Sequence, residues 1–473
     1  MESDNSVIFH RLTMTLTSSY KQTVEKQNAF FIANKPFSLA YRLQQLTLLK
    51  RAILTNEEAL SEALHLDLNK SEYESYLTEI GFVLHELSLT IKQLKHWIKP
   101  NKVKTPLLSQ PATSAIHSDP LGVCLIISPF NYPVSLCLSP LIAAIAAGNC
   151  CVLKTSELTP NVSRVLKQLI TSTFESEYIE CINGEVEHAT ALLAQKFDHI
   201  FFTGSTGVGK VVMQAAAKNL TPVTLELGGK SPCIVCSDAN IDIAVKRIVY
   251  GKMLNAGQTC VAPDYVLVDE SIKEKFLSKL TQRITDLYGE DASQSEDFGR
   301  MVSRRHTQRI SEMIKPEKVL VGGDVDVENR YIAPTVLHNV ELTDDIMQEE
   351  IFGPVLPVIG FSDYQEVIAT IQSLPSHPLA AYIFSDNKQT QNLLISKIQA
   401  GGIAVNHCVQ HLVNPHLPFG GVGSSGIGSY HGKHGFDSFS HQKSVLKAAT
   451  WFDLSLIYPP YKGKLSMIKK ILK

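Results

Sequence analysis

A short polar turn, residues 255–260 with the sequence NAGQTC, carries the side chain with the clearest chemical potential in this chain. An apolar run with helical spacing precedes it at 244–254, and a strand-like run follows at 265–268. A cysteine on such a turn is expected to be partly exposed, with neighbouring N–H groups directed at whatever its sulfur attacks. Cys260 is therefore a candidate nucleophile, although a buried, inert thiol is the commoner state of any one cysteine.

A second reactive group is the carboxylate of Glu226, which lies in an apolar segment directly before Gly228 and Gly229. An unpaired carboxylate in apolar surroundings is unfavourable unless it stays protonated or serves as a base. We expect Glu226 to lie at the end of a buried strand, with its pKa raised by desolvation. It is a candidate general base.

The segment GSTGVG, residues 204–209, follows a strand pattern at 200–202 and opens an apolar helix that runs on from Val211. The N–H groups and dipole of a helix start can hold a phosphate. The segment departs from GxGxxG because Thr206 stands where a second glycine would let a pyrophosphate approach closely. Taken alone, it is a weak indication of nucleotide binding.

Alternating strand and helix patterns between 122 and 226 must position these groups. Strands are predicted at 122–127, 150–154, 178–182 and 200–202, with an apolar helix at 136–147. The first strand ends in a loop that contains Asn131, and the second delivers Lys154 and Glu157 to the same edge. Repeated β-α-β units indicate a doubly wound, Rossmann-like sheet whose ligands bind at the carboxyl ends of its strands.

The rest of the chain completes an α/β protein. A second alternation begins at Gly228, with strands near 232–235, 266–268, 318–323, 354–358 and 400–406. Helices that look structural are predicted between 39 and 97, and an extended segment between 100 and 118. Residues 1–25 are polar and predicted to be irregular, as is the glycine-rich segment 417–426.

Composition excludes several classes of function. Lys plus Arg is 44 against 46 for Asp plus Glu, so no net charge favours nucleic acid. An odd count of nine cysteines and a reactive thiol favour a reducing compartment, hence the cytoplasm. Cys233 and Cys236 lie in an apolar strand pattern and are interpreted as core, and the spacing of His407, His411 and His416 fits no metal site.

Two segments raise the question of a membrane. The uncharged stretch 121–153 contains three prolines and divides into strand, loop, helix, turn and strand, so it is predicted to be core. Residues 462–473 carry five lysines, with Leu465, Ile468 and Leu472 on one helical face. Such a basic amphipathic tail suits either a membrane surface or docking on a partner subunit, and the sequence leaves both open.

Two of these motifs together resemble the active-site signatures of the NAD(P)-dependent aldehyde dehydrogenases: LELGGKSP at 225–232 and GQTC at 257–260. The following VAPDY, residues 261–265, resembles the class 3 branch, which oxidises fatty and aromatic aldehydes. The likeness runs from about Phe30 to about Ser440. It implies oxidation of a medium- or long-chain aliphatic or aromatic aldehyde to the carboxylic acid, through a thiohemiacetal and a thioester on Cys260.

The resemblance also implies roles for side chains whose function cannot be predicted from the local sequence alone. Asn131, otherwise a common turn residue, would supply the side-chain amide of an oxyanion hole, with Glu226 activating water. The cofactor would be held by Lys154 and Glu157 at the adenosine ribose, by Gly204, Ser205 and Gly209 at the phosphate, and by Glu350 and Phe352 of EEIFGP at the nicotinamide. A lysine also suits a 2′-phosphate whereas a carboxylate disfavours one, so NAD and NADP both stay open.

The implied architecture is the aldehyde dehydrogenase fold. Its Rossmann-like cofactor-binding domain would comprise residues 1–102, 121–226 and 412–430, and its second α/β domain, the catalytic one, residues 227–411. Segments 103–120 and 431–450 would form a small β oligomerisation arm of a homodimer, followed by the basic tail 451–473. The partners implied are a small aldehyde substrate and a second copy of the chain, with membrane contact through the tail as an alternative use of that segment.

Two other classes of function stay open on sequence alone. A cysteine acyl hydrolase or transferase would use Cys260 and Glu226 without redox chemistry. A non-catalytic, structural protein would be expected to have lost part of the site, whereas every residue that the resemblance requires is present.

Overall fold

The computed structural model describes residues 2–472, with side chains from residue 15 onward. A five-residue π-helical turn, Tyr76–Ile80, joins the fourth and fifth α-helices. The α-helices are α1 (Glu2–Asn34), α2 (Leu39–Thr55), α3 (Glu57–Leu68), α4 (Glu72–Ser75), α5 (Gly81–Trp97), α6 (Ser135–Ala147), α7 (Pro160–Thr173), α8 (Val186–Leu193), α9 (Thr206–Ala217), α10 (Ile241–Met253), α11 (Lys273–Tyr288), α12 (Arg304–Met313), α13 (Asp345–Gln348), α14 (Tyr364–Ser373), α15 (Lys388–Lys397), α16 (Gly432–Ser438) and α17 (Leu465–Ile471).

The strands are β1 (Asn101–Val103), β2 (Thr113–Pro120), β3 (Val123–Ile127), β4 (Cys150–Lys154), β5 (Ile179–Ile182), β6 (His199–Thr203), β7 (Val223–Glu226), β8 (Pro232–Val235), β9 (Tyr265–Asp269), β10 (Val319–Val321), β11 (Val325–Asp326), β12 (Tyr331–Ile332), β13 (Thr335–Leu337), β14 (Val355–Phe361), β15 (Ala380–Phe384), β16 (Gly402–Val405), β17 (Gly426–Ile427) and β18 (Ser440–Lys447).

The first large sheet has six strands in the order β17-β7-β6-β3-β4-β5, parallel throughout except for the short edge strand β17. Chain order runs outward in both directions from β3, so the topology reverses between β3 and β6. A crevice forms at the carboxyl ends of the strands at such a point. The predicted Rossmann-like sheet is confirmed, and the ends of β3, β4, β6 and β7 meet at its ligand-binding edge.

The second large sheet has seven strands in the order β10-β13-β14-β9-β8-β15-β16, with only the edge strand β10 antiparallel. Its central strands are buried, as their uninterrupted apolar patterns predict. A separate antiparallel sheet, β1-β2-β18, is largely open to solvent. The division of the chain into domains at the bounds given above stays a prediction.

The prediction that residues 1–25 are irregular is wrong, because α1 runs from Glu2 to Asn34. Its buried positions, Tyr20, Val24, Gln27 and Phe31, lie on one helical face. The Gln27 amide donates to the carbonyl oxygens of Cys151 and Ser176, both at 3.0 Å. A polar residue at the centre of the buried face hides the helical period, so the sequence reads as irregular. In the same way, α9 begins at Thr206 and not at Val211.

The uncharged stretch 121–153 forms β3, α6 and β4 and is core, as predicted. No helix between residues 2 and 472 has both the length and the apolar character needed to cross a membrane. Among the side chains of residues 15–472, no three histidine, cysteine or acidic groups gather as metal ligands would.

Candidate active site

The loop that bears Cys260 has an unusual backbone. Asn255, Ala256 and Gly257 follow α10 with φ angles of 53°, 51° and 75°, all in the left-handed region. A β-carbon at Gly257 would lie 2.2 Å from the carbonyl oxygen of Gly353, so only glycine fits that position. Left-handed backbone is costly for alanine, and strain of this kind persists where surrounding contacts enforce it.

Hydrogen bonds from Gln258 hold this loop in place. Its side-chain amide donates to the carbonyls of Asn255 at 3.1 Å and Arg300 at 3.0 Å, and its side-chain oxygen accepts the Val302 N–H at 2.8 Å. The neighbouring Thr259 hydroxyl is hydrogen-bonded to the Tyr132 hydroxyl. The residues just before Cys260 are therefore fixed by fully buried polar contacts.

Cys260 itself is half-buried, whereas the other eight cysteines are buried and all nine are free thiols. Burial raises the pKa of the Cys260 thiol, and the nearby carboxyl groups of Glu350 and Glu226 raise it further. The N–H groups of Cys260 and Val261 are directed at the sulfur and oppose that rise in pKa. The Cys260 thiol is thus partly exposed and lies beside backbone donors, as the turn at 255–260 predicts.

Glu226 is the last residue of β7, and its carboxyl group is buried. Neither of its oxygens has a hydrogen-bond partner among the described residues. Burial raises the pKa of Glu226 well above its ordinary value, so the direction expected from the sequence is confirmed. Its charge raises the pKa values of both Cys260 and Tyr430, so both lie within electrostatic reach of Glu226.

Asn131 lies in the loop between β3 and α6 and is buried. Its side-chain nitrogen donates to the Gln258 carbonyl at 2.9 Å. Its own carbonyl accepts a hydrogen bond of 2.8 Å from the Asn255 side chain. The structure therefore brings Asn131, 129 positions away in sequence, against the loop of Cys260.

The side chains predicted to hold the adenosine ribose lie at the carboxyl end of β4, and the one predicted to hold the phosphate lies at that of β6. Lys154 ends β4, and its Nζ donates to the Thr155 carbonyl at 2.7 Å and to Glu157 Oε2 at 3.3 Å. Burial lowers the pKa of Lys154, which Glu157 partly offsets. Ser205 is exposed at the start of α9, where its hydroxyl accepts the Val208 N–H.

The predicted nicotinamide-binding side chains lie beside the strand end of Glu226. A β-carbon at Gly228 would fall 1.8 Å from Glu350 Oε2, so the missing side chain makes room for that carboxyl group. Burial raises the pKa of Glu350 to about 8, and Asp264 reinforces the effect. Phe352 has a φ of 54° and packs edge-on against Phe130, with ring centroids 5.7 Å apart.

The sequence did not single out three further buried charged residues here. Lys230 donates to Asp264 and to the carbonyls of Ile346 and Glu349, so it holds the segment that leads into Glu350. Lys252 is fully buried, has no hydrogen-bond partner among the described residues, and has its pKa lowered to about 8, chiefly by burial. Of the three, Lys230, Asp264 and Lys252, only Lys252 could have been predicted from the sequence, because it is a charged residue within an apolar run.

These residues fit a dinucleotide. The first N–H groups of α9 lie at the carboxyl end of β6, beside the exposed Ser205, where a helix start can hold a phosphate. Gly209 lets α9 approach closely, because a β-carbon there would lie 2.7 Å from Leu227 Cδ2. Gly204, Glu157, Glu350 and Phe352 complete the predicted set, and the part that each plays in binding stays a prediction.

Comparisons with known proteins agree with this geometry. The model of the "Aldehyde dehydrogenase family" matches residues 6–445. The 4,4'-diaponeurosporen-aldehyde dehydrogenase of Staphylococcus aureus (strain NCTC 8325 / PS 47) is 46% identical over 455 residues, which are 96% of this chain and 99% of that protein. The dimeric NADP-preferring aldehyde dehydrogenase of Rattus norvegicus is 46% identical over 91% of this chain and 94% of its own.

A solved structure described as the substrate-bound state of Staphylococcus aureus AldH superposes with a TM-score of 0.94 at 46% identity, over 96% of this chain and 99% of that one. The predicted fold, the resemblance to class 3 enzymes and the use of NAD or NADP are thereby confirmed. The chain belongs to the aldehyde dehydrogenase family, and it is an NAD(P)-dependent enzyme that oxidises aldehydes to carboxylic acids.

Proposed function

We propose that Cys260 and Glu226 divide the reaction into acylation and hydrolysis. The Cys260 sulfur forms a bond to the aldehyde carbon as its proton leaves to a neighbouring base, and the carbonyl becomes a tetrahedral alkoxide. Nicotinamide dinucleotide, when bound, takes up the hydride that this carbon loses. The carbon is then held to Cys260 as a thioester, which water cleaves to give the free acid and the thiol.

The alkoxide needs donors in fixed positions. Asn131 supports this role, because one hydrogen of its amide is bound to Gln258 and the other is left to face a ligand. The Cys260 N–H, which is directed at the sulfur, is the second donor that we propose. Both belong to buried, hydrogen-bonded segments, so little reorganisation is needed when charge develops.

Glu226 is the proposed base for the hydrolytic water. Since burial raises the pKa of its carboxyl group, the ionised form is a stronger base than an exposed glutamate. Its two unpartnered oxygens leave room for a water molecule to donate to them. This buried, unpartnered carboxyl group within electrostatic reach of a half-buried thiol is the observation that carries the proposal.

The test is Glu226→Gln, followed by rapid mixing with aldehyde and cofactor. A general base contributes roughly 10²–10⁴-fold to its step, so we expect one burst of reduced nicotinamide and then slow turnover. Mass spectrometry of the quenched enzyme should show an acyl group on Cys260. Normal steady-state turnover would show that another group is the base, and loss of the burst would show that Glu226 also deprotonates Cys260.

We propose an apolar or aromatic aldehyde as the substrate. Tyr430, beside Glu226 and Cys260, stacks on His431 with centroids 4.1 Å apart, and Phe82 packs on His431 at 5.5 Å. A small cavity adjoins His431, lined by Phe82, His85, Glu86, Leu412, Val413 and Pro415. Relatives named for 4,4'-diaponeurosporen-aldehyde and for NADP preference support this class of substrate and the use of either cofactor. Specificity constants over short, long-chain and aromatic aldehydes test it, with a preference for short aldehydes contradicting it.

A homodimer is the proposed assembly, since β18 presents a mostly exposed strand at a sheet edge and relatives are described as dimeric. Sedimentation velocity tests this assembly. We further propose a reducing compartment, the cytoplasm, on the ground of nine free thiols. Cell fractionation tests that assignment.

For the tail 451–473 we propose contact with an anionic lipid surface. Trp451, Tyr461 and Leu465 are exposed by 80%, 66% and 62%, and residues 462–473 hold five lysines and no acid. Sedimentation with phosphatidylglycerol vesicles, and with phosphatidylcholine vesicles as control, should show binding only to the former. Removal of residues 451–473 should abolish that binding. Loss of the dimer in the shortened chain would instead show that the tail docks on the partner subunit.

A further inference from the structure

A buried ion pair, Lys70 and Glu79, lies beneath the loop of Asn131. Both side chains are fully buried, and Lys70 Nζ lies 2.6 Å from Glu79 Oε1. Lys70 lies just before α4, and Glu79 lies in the π-helical turn. Such turns are rare and are frequently found at functional sites, whereas the sequence presents this region only as structural helices.

The pair holds the Asn131 loop at two points, at Asn131 and at the start of α6. Lys70 Nζ donates to the Asn131 carbonyl at 3.0 Å, and its ammonium group lies 4.1 Å from the centre of the Tyr132 ring. Glu79 Oε2 accepts the N–H groups of Val134 at 2.8 Å and Ser135 at 3.0 Å, where α6 begins. One charged pair therefore fixes the carbonyl of Asn131 itself and the backbone at the start of α6 that follows it.

The same short segment also reaches the loop of Cys260. Glu74 Oε1 accepts the N–H of Asn255, the first left-handed residue of that loop, at 2.8 Å. The Asn255 side chain donates to the Asn131 carbonyl, so this carbonyl accepts from both Lys70 and Asn255. Residues 70–79 thus connect the amide of Asn131 and the thiol of Cys260 to one buried frame.

Stability alone does not account for such a pair. A buried ion pair is often no more stabilising than apolar residues of the same size, because removing two charges from water offsets their attraction. Its placement does have a consequence for the reaction, since an oxyanion donor must be held to within about 0.5 Å of its productive position.

We propose that Lys70 and Glu79 are positioning residues, which fix the Asn131 amide relative to Cys260 for addition to the aldehyde. This inference rests on the oxyanion role proposed for Asn131. Neither residue touches the reacting atoms, so both act through the backbone of residues 131–135.

The variant that tests it is Lys70→Met/Glu79→Gln. It keeps both volumes, leaves no unpaired charge, and retains an amide oxygen for the Val134 and Ser135 N–H groups. A misplacement of about 1 Å can reduce a rate by up to about 10²-fold, and we expect the burst of reduced nicotinamide to slow by about tenfold. Binding of NAD+ without aldehyde, and alkylation of Cys260 by iodoacetamide, should each stay within about twofold of the wild-type values.

A mutant cycle with Asn131 distinguishes a positioning role of Lys70 and Glu79 from a general loss of stability, because only a positioning role makes the effects on the burst rate non-additive. In an Asn131→Ala background, the Lys70→Met/Glu79→Gln change should slow the burst no further, because the amide that it positions is gone. Leu94→Ala, which removes a fully buried side chain from α5 away from this loop, should lower the melting temperature and leave the burst rate unchanged. If the double variant does not fold, Glu79→Gln alone is measured in the same two backgrounds.

The outcomes distinguish the two proposals. If Asn131→Ala leaves the burst rate unchanged, the oxyanion role of Asn131 is wrong, and the positioning role falls with it. If Asn131→Ala slows the burst but Lys70→Met/Glu79→Gln does not, or if their effects multiply, the positioning role alone is wrong. A slower burst that depends on Asn131 supports it.

Discussion

The two halves of the candidate site differ in how their polar groups are partnered. In the catalytic region, which comprises Asn131, Glu226 and residues 255–260, Asn131 and Asn255 hydrogen-bond across more than a hundred positions of sequence, whereas the Glu226 carboxyl group has no partner among the described residues. At the cofactor edge, Glu157 and Ser205 are open to solvent and bond only to neighbours three positions away. Donors that stabilise developing charge are held in place before the reaction, whereas groups that bind the polar cofactor stay free to form hydrogen bonds with it.

Cys260→Ser should separate the two halves of the site most strongly, since it should abolish turnover and leave cofactor binding intact. It removes the nucleophile, so turnover should fall by more than about 10³-fold. Because Cys260 lies just before β9 of the seven-stranded sheet, whereas Lys154 and Ser205 lie at the edge of the six-stranded one, calorimetry should show NAD+ binding within about twofold of the wild-type value. Substantial turnover by this variant would contradict the division of the site that is described here.

A pair of glycine substitutions compares the backbone of the Cys260 loop with that of the first turn of α9. Gly257→Ala places a β-carbon 2.2 Å from the Gly353 carbonyl at a φ of +75°, and should cost roughly 1–3 kcal/mol of unfolding free energy together with most of the activity. Gly207→Ala, in the first turn of α9, meets nothing nearer than Ser205 Oγ at 4.0 Å. It should stabilise the protein by about 0.5–1 kcal/mol. Urea denaturation of both variants measures the contrast, and equal effects would contradict it.

The pH dependence of Cys260 alkylation tests the electrostatics of the catalytic region. A raised pKa means a smaller thiolate fraction at any pH below it, so reaction with iodoacetamide at neutral pH should be slower than that of a free cysteine. The rate should continue to rise with pH beyond about 8.5, where a free thiol is half-ionised. A plateau below that pH would show that a positive charge, and not the two carboxyl groups, dominates around the sulfur.

The smallest expected effect belongs to the cofactor edge. Glu157→Gln removes a half-exposed carboxylate that disfavours a 2′-phosphate, while Lys154 stays in place to attract one. Because exposed charges interact weakly, the ratio of kcat/KM for NADP+ to that for NAD+ should rise by no more than about fivefold. An unchanged ratio would show that Glu157 does not face the ribose.

Much of the fold could be predicted from local patterns. The runs at 122–127, 150–154 and 200–202 form β3, β4 and β6, because uninterrupted apolar strands can be covered only inside a parallel sheet. The helix α1 was not predicted, because its buried face is not uniformly apolar. Its buried face includes Gln27, whose amide is satisfied by carbonyls of residues 151 and 176, and no local pattern reveals such partners.

The sequence by itself identified the family and its cofactor and predicted the roles of Cys260 and Glu226, because each was carried by a short motif whose chemistry is local. Only the tertiary structure decided the electrostatics and the support of the site. It placed Glu350 and Glu226 around the thiol, so that its pKa rises. It also set Lys70 and Glu79, which no motif marks, beneath Asn131. Burial and charge at a site are sums over neighbours that are distant in sequence, and only the folded chain brings those neighbours together.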